Sequence, residues 1–365
     1  MQQLQPRAHD PELEFWQPFV GLAHWPGADI LRALVAKFFA GIKFADPDSF
    51  ARAAGTPCLF LANHQVFVET MVFIGTVSPL VGRPIAALAK SEHRDRWPGH
   101  LLDVCFGYPG ITDPGLIQYF DREMPRVDDV VALVEQQLQA RGRSMLVHVE
   151  GTRRRSARRG NVQRLSPLWT ELAFRNGWNV VPVRFAGGLP VEDPGHRQEM
   201  PVGFGRQTIH IGRTISAGEL GGLDAVDRMN LVRRMINELV DQATEEPSPP
   251  DREFTRDVEE WSGLTGVDLP TASILRATVG PFGAVAPGPQ ATVQSFDDPL
   301  VAIAAAARAL RRDRQAPVLE VPASAEGQWG ARLARFLFGP NGLTIHEGTA
   351  TRLRLRPMAL LEEGQ

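Results

Sequence analysis

A histidine and an acid stand five residues apart where one apolar run stops and another begins, as Asn63-His64-x4-Glu69 inside LFLANHQVFVETMVF. If a strand ends at Ala62, the His64 ring can face solvent, and Glu69 falls in the first turns of the next helix. A carboxylate near Nδ1 fixes the tautomer of an imidazole and supports its protonated form, so Nε2 can take a proton from a hydroxyl. The pair reads as a general base and its orienter. The plainer alternative is a loop-end histidine beside an unrelated acid, because such loops carry many polar pairs.

A second chemical stretch is His148-Val149-Glu150-Gly151-Thr152-Arg153, the start of a loop with five arginines between 153 and 159. Glycine permits close backbone approach, threonine supplies a hydroxyl, and arginine offers a two-pronged donor for phosphate or carboxylate. His148 reads as a partly buried strand-end histidine rather than a second titrating group. A solvated basic loop or a nucleic-acid patch would have a similar composition. No aromatic residue is interleaved in it and the net charge is -3, which disfavours nucleic acid. Asp121-Arg122 in QYFDRE is a third polar pair. Pro182, inside VVPVRFAG, costs a strand one ladder bond and suggests an edge or site-lining position. There is no Gly-x-Ser-x-Gly elbow, and neither cysteine sits in a nucleophile motif. His64, His148 and Glu150 are not at a recognised ligand spacing, so no metal is expected.

The elements that must position these residues alternate. CLFLA (58–62), PIAALA (84–89), SMLVHV (144–149), NVVPVRF (179–185) and TIHIG (208–212) read as strands. VFVETMVFIG (66–75) reads as a helix start, and helical spacing marks residues 126–141 with Val127, Val130, Val131, Val134 and Leu138 on one face, residues near 166–176, and 225–243. Residues 28–42 form a wide apolar stripe that predicts either a core helix or, with Phe15, Trp16, Phe19 and Trp25 upstream, a membrane-surface helix. Strands alternating with helices predict an α/β fold with a mixed, largely parallel central sheet flanked by helices. The charged, Pro-rich 245–253 predicts a linker, and 279–290 a second Gly/Pro break. Beyond it the sequence predicts an Ala-rich helix and an edge strand at TRLRLRP. The expected division is an amphipathic segment 1–44, a main domain 45–246, and a C-terminal α/β extension 251–365 that carries no chemical motif.

With 365 residues, 43% of them hydrophobic, the chain can bury a large core. Two cysteines argue against a disulfide framework and fit a reducing compartment. The first residues lack the basic-then-apolar pattern of a secretory leader, and no apolar run approaches the roughly 20 residues that span a bilayer. The expected location is cytoplasmic, with peripheral attachment to the inner membrane surface as an option.

Taken in order, the four blocks resemble the glycerolipid acyltransferases, the 1-acyl-glycerol-3-phosphate acyltransferase family. That family shows roughly Asn-His-x4-Asp, a Phe-x-x-Arg-like block, Phe-Pro-Glu-Gly-Thr-Arg and a Val-Pro-Val-like strand. The matching residues here are Asn63-His64-x4-Glu69, Phe120-Asp121-Arg122, Val149-Glu150-Gly151-Thr152-Arg153 and Val181-Pro182-Val183. Lys90 in LAKSEH is similar to the segment after the family's second strand. The resemblance covers about residues 45–245. Glu69 replaces the usual Asp, Val149 the usual proline, and His148 an aromatic or aliphatic residue. IHEGTATR (345–352) echoes Glu-Gly-Thr without an Asn-His block in its region and reads as chance.

The resemblance implies acyl transfer from a thioester, either acyl-CoA or acyl carrier protein, to a hydroxyl of a lysophospholipid such as 1-acyl-glycerol-3-phosphate. It implies no cofactor beyond that co-substrate and no nucleic-acid partner. His64 would be the base and Glu69 its orienter. Arg122 and Arg153 would hold the acceptor's phosphate, in a pocket shaped by Asn63, Glu150, Gly151 and Thr152. Two other readings stay open. One is a domain that offloads polyunsaturated fatty acid or polyketide chains from a carrier protein, and the other is a lipid-binding module without catalysis.

Overall fold

A computed structural model of the chain describes residues 11–121, 127–157, 160–240 and 250–279, and beyond them 293–295, 303, 318–321, 324–338, 343–346 and 351–355. The chain forms two compact units. The first is built from the chain up to Ala23, Phe38–Glu92 and Asp113–Pro250, and the second from His24–Lys37, His93–Thr112 and the chain from Asp251 onward. This differs from the expected division, because the N-terminal segment is shared between the units and 93–112 joins the C-terminal part. Spatial neighbours are drawn from distant parts of the sequence, and composition marks no such boundary.

The first unit carries strands β1 (Phe39–Phe44), β2 (Cys58–Ala62), β3 (Ile85–Lys90), β4 (Ile117–Phe120), β5 (Ser144–His148), β6 (Asn179–Ala186) and β7 (Gln207–Ile211). They form one sheet in the order β1-β7-β6-β2-β5-β3-β4. Every neighbouring pair is parallel except β6 and β7. Parallel neighbours need crossover connections, and helices supply them. The helices of the whole chain up to Glu238 are α1 (Pro11–Val20), α2 (Pro26–Phe38), α3 (Pro47–Ala53), α4 (Glu69–Val81), α5 (Trp97–Phe106), α6 (Val127–Glu135), α7 (Pro167–Asn176), α8 (Ala217–Gly221) and α9 (Ala225–Glu238).

β2 is buried at all five residues, as expected for an interior strand covered on both faces. Alternate side chains then feed two layers. Leu59, Leu61, Met145, Val147 and Val180 join Val134, Leu172, Val232 and Ile236 of α6, α7 and α9 in one cluster. On the opposite face Phe60 meets Phe73 of α4 edge-on at 5.3 Å, and Phe73 meets Phe185 at 6.0 Å.

Several expectations need correction. The apolar stripe 28–42 is not one helix, for α2 ends at Phe38 and β1 pairs with β7 from Phe39. Ile42 fits helical spacing from Phe38, and the ladder with β7 overrides that local signal. Ile30, Leu34 and Phe38 are buried, which is the core-helix reading of the stripe. β6 is an interior strand despite Pro182, which faces Leu61 of β2 just outside the paired β6–β7 register. Val127 is 57% exposed and lies off the buried face of α6. The α6 helix gives way to a π-turn at Gln136–Ala140, and α9 stops at Glu238 instead of 243.

The second unit holds α2, α5, α10 (Arg252–Thr265), α11 (Leu269–Val279) and α12 (Ala325–Phe338). Its strands are β8 (Val293–Ser295), β9 (Val318–Val321), β10 (Leu343–His346) and β11 (Thr351–Leu355), in the order β10-β11-β9-β8. TRLRLRP therefore supplies an interior strand, not an edge. Trp25 donates its indole N–H to the Cys105 carbonyl at 2.7 Å, and Trp329 donates to that of Val104 at 2.6 Å. Asp257 and Arg276 form a buried ion pair at 2.9 Å. Asp251, in the expected linker, caps α10 by accepting from the Phe254 N–H. Most of 245–253, of 279–290 and of the Ala-rich stretch lies outside the described residues.

Candidate functional site

The site is assembled at the carboxyl ends of β2 and β5, where parallel strands release their loops. Asn63 is the first residue beyond β2. Its amide donates to the Phe185 carbonyl at 2.9 Å and accepts from the Phe185 N–H at 2.7 Å. The side chain thus continues the β2–β6 ladder by one step. Asn63 is fully buried, so the expectation that it touches substrate is corrected to a scaffold role.

Glu69 opens α4 and is completely buried. Its carboxylate accepts from the Gln65 N–H at 3.0 Å, the Val66 N–H at 3.1 Å and the Gln207 amide at 2.8 Å, and its Oε2 lies 3.0 Å from His64 Nδ1. A carboxylate at a helix N-terminus is also favoured by the helix dipole. Burial still dominates and pushes its pKa up to about 7, against the pull of His148, the Gln207 amide and the two backbone donors. The sequence expectation that Glu69 reaches His64 matches this geometry.

His148 stacks on His64, with ring centroids 3.8 Å apart and planes 20° from parallel. The His148 Nδ1 faces the Asn63 carbonyl at 2.7 Å, and Nε2 faces the Thr70 hydroxyl at 2.9 Å. A carbonyl can only accept, so Nδ1 carries the proton and Nε2 accepts from Thr70. Burial and the neighbouring His64 hold the His148 pKa at about 3, so this ring is neutral in the working range.

Potential ligand atoms of His64, Glu69 and His148 lie within 4.8 Å of one another. The residues do not fit a metal ion. Two nearly parallel stacked imidazoles direct their lone pairs along separate planes, and one ion cannot lie in both. The His148 nitrogens and the Glu69 oxygens are also engaged in hydrogen bonds. The constellation suits proton transfer.

The second block wraps the first. Gly151, at φ +64°, makes the turn out of β5, and its N–H donates to the His148 carbonyl at 3.1 Å. Gly151 and Thr152 are exposed beside the histidine pair. Glu150 accepts from the His64 backbone N–H at 3.2 Å and grips Arg154 with both oxygens. Its carboxylate braces the base loop, which corrects its expected contact with substrate. Arg153 pairs with Glu199 at 2.9 Å, donates to the Gln198 carbonyl at 2.7 Å and lies over the Phe67 ring. Arg155 pairs with Asp193 at 3.0 Å. Three arginines of the basic loop thus face carboxylates, and a strap between β6 and β7 is fastened over the site loops. Phe67 and Val68 extend the fastening by donating their N–H groups to the Glu199 carbonyl. Arg122 lies outside the described residues.

The chain therefore brings His64, Glu69, Glu150, Gly151, Thr152 and Arg153 into one neighbourhood. Sequence reading missed Gln207, Thr70 and Glu199. Gln207 is 138 positions from the acid it contacts, and no motif marks it. Val66, Val72 and Phe73 beside the site are core residues.

The fold and site together define an α/β protein with a carboxylate-oriented histidine at a parallel-strand terminus. No protein-family model matches the chain, and no curated protein matches it.

Proposed function

We propose that this protein is an O-acyltransferase that moves a fatty acyl group from a thioester, acyl-CoA or acyl carrier protein, to the hydroxyl of a lysophospholipid. The observation that carries the reading is the 3.0 Å contact of His64 Nδ1 with the buried Glu69 carboxylate, at a strand end beside the exposed Gly151 turn. The order of the four sequence blocks, similar to those of the glycerolipid acyltransferases, supports the same reaction and a fold of that kind.

In the proposed step His64 Nε2 removes the acceptor hydroxyl's proton, and the oxygen attacks the thioester carbonyl. The C–O bond forms, the C–S bond breaks, and the imidazolium returns its proton to the leaving thiolate. Glu69 holds Nδ1–H and stabilises the imidazolium. The His148 carbonyl takes the Gly151 N–H, so the backbone N–H groups of Thr152 and Arg153 would meet the developing oxyanion. No acyl-enzyme is required. 1-Acyl-glycerol-3-phosphate is the acceptor the resemblance suggests. For Arg153 to hold its phosphate, that group must replace Glu199. The ion pairs of Arg153, Arg154 and Arg155 weigh against this loop as a dock for an acidic carrier protein.

The test is an acyl-transfer assay with purified protein and 1-acyl-glycerol-3-phosphate, with acyl-CoA and acyl-carrier-protein donors run in parallel. Product that falls by about 100-fold or more in a folded His64→Ala variant is expected. Undiminished product in that variant refutes the base assignment. No product from either donor refutes the acceptor class and favours the lipid-binding module.

A further inference from the structure

The buried acid of the site is contacted by a residue of β7, which lies two places from β2 in the sheet. Gln207 begins β7 and is fully buried. Its Nε2 lies 2.8 Å from Glu69 Oε1 and 2.8 Å from Gln65 Oε1. Against an ionised Glu69 this amide orientation is the one that bonds, because a flipped Gln207 would set its oxygen against a carboxylate oxygen that can only accept. It is held although the buried Gln207 Oε1 has no hydrogen-bond partner among the described residues. A glutamine that gives up one hydrogen bond to direct both N–H donors at two oxygens serves the acceptors.

The position is also sterically fixed. Gly188 sits at φ +73°, and a Cβ there would lie 2.6 Å from Gln207 Cγ. Only glycine lets the strap pass over this side chain.

We infer that Gln207 is a positioning residue that favours the ionised form of Glu69, and so favours orientation of His64 by a charge instead of a neutral acid. The inference rests on the proposed base mechanism for its kinetic consequence, but its electrostatic part stands on the geometry alone. The charged or titratable groups facing Glu69 are few. His64 contacts it from the β2–α4 loop, and His148 stacks behind His64 from β5. The Glu150–Arg154 pair braces the His64 backbone, and the Arg153–Glu199 pair lies beside the Phe67 and Val68 amides. Both pairs are internally balanced. The remaining stabilisation of a Glu69 anion comes from uncharged donors, the Gln65 and Val66 N–H groups and Gln207. Of these, Gln207 is the one supplied by a side chain and from a separate element.

The experiment follows the Glu69 carboxyl carbon by NMR in selectively labelled full-length protein, with and without Gln207→Met, which keeps side-chain length and removes the donor. The Glu69 midpoint should move upward by about one pH unit, and the acid limb of kcat should move with it. At pH 7 kcat should fall several-fold, recover at higher pH, and leave KM little changed. An unmoved Glu69 midpoint in folded Gln207→Met overturns the inference, whatever the activity. An absence of acyl transfer in the wild type overturns the proposed reaction and leaves the carboxyl titration to judge Gln207. If Gln207→Met does not fold, the wild-type Gln207 side-chain amide protons decide. Their resonances should shift with the Glu69 midpoint, and a pH-independent resonance overturns the inference.

Discussion

At the scale of residues, the site sets two ionisable groups against each other. Burial raises Glu69 to about 7, and His148 is depressed to about 3 by burial and by His64. Glu69 is ionised in the unfolded chain above about 4.5, so folding with this acid loses stability as pH rises from there to about 7. His148 is protonated in the unfolded chain below about 6.5, so folding with a neutral His148 gains stability as pH rises from about 3 to there. Between about 4.5 and 6.5 the two effects oppose, and the wild type should show a shallow pH dependence. Glu69→Gln should expose the effect of His148, with urea-denaturation stability climbing through that window by up to about 1.4 kcal/mol per pH unit. His148→Phe should show the opposite slope. Slopes in both variants equal to the wild type's would contradict these shifts. In catalysis Glu69→Asp should retain activity, and Glu69→Ala should lose most of it. Full activity in Glu69→Ala would remove Glu69 as the orienter.

At the scale of elements, loops do the assembling. The strap between β6 and β7 is tied down by Arg153 to Glu199, by Arg155 to Asp193, and by the Phe67 and Val68 N–H groups to the Glu199 carbonyl. Arg153→Ala should loosen the strap and speed proteolytic cleavage between 190 and 198. It should also raise KM for a phosphate-bearing acceptor more than for a neutral one, if phosphate takes the place of Glu199. Equal KM effects would make Arg153 a fastener alone, and unchanged proteolysis would contradict the strap assignment. Glu199→Gln separates the two roles further, since it removes the competing charge and should lower the KM of the phosphate-bearing acceptor.

At the scale of the whole molecule, each unit is built from discontinuous sequence. Removing everything from Asp251 onward takes α10, α11 and α12 from the second unit and leaves 24–37 and 93–112 without their partners. Truncation there should yield insoluble protein, and a soluble, cooperatively unfolding fragment would show the first unit to be self-sufficient. Within the second unit, Arg276→Met removes the 2.9 Å partner of Asp257, which is 3% exposed, leaves it the longer 3.9 Å contact with Arg256, and should destabilise the chain. Thermal denaturation of the full chain would show it as a clear fall in Tm.

The local code fixed a good deal of this. CLFLA, SMLVHV and NVVPVRF read as strands because every side chain is apolar or nearly so, and interior parallel strands have no solvent face to mark. His64 and Glu69 were legible together because five residues carry the chain from a strand end into the first turn of a helix. Long-range contacts settled the rest. Pro182 lies in an interior strand because the β6–β7 register begins beyond it. Residues 39–44 became a strand because β7 was there to pair with them. Asn63 and Glu150 became scaffold because their distant partners, the Phe185 backbone and the His64 N–H, arrive through folding. Gln207 was invisible for the same reason. A hydrogen bond across 138 residues leaves no period or spacing in the sequence, and only packing β7 against its neighbours brings the donor to the buried acid.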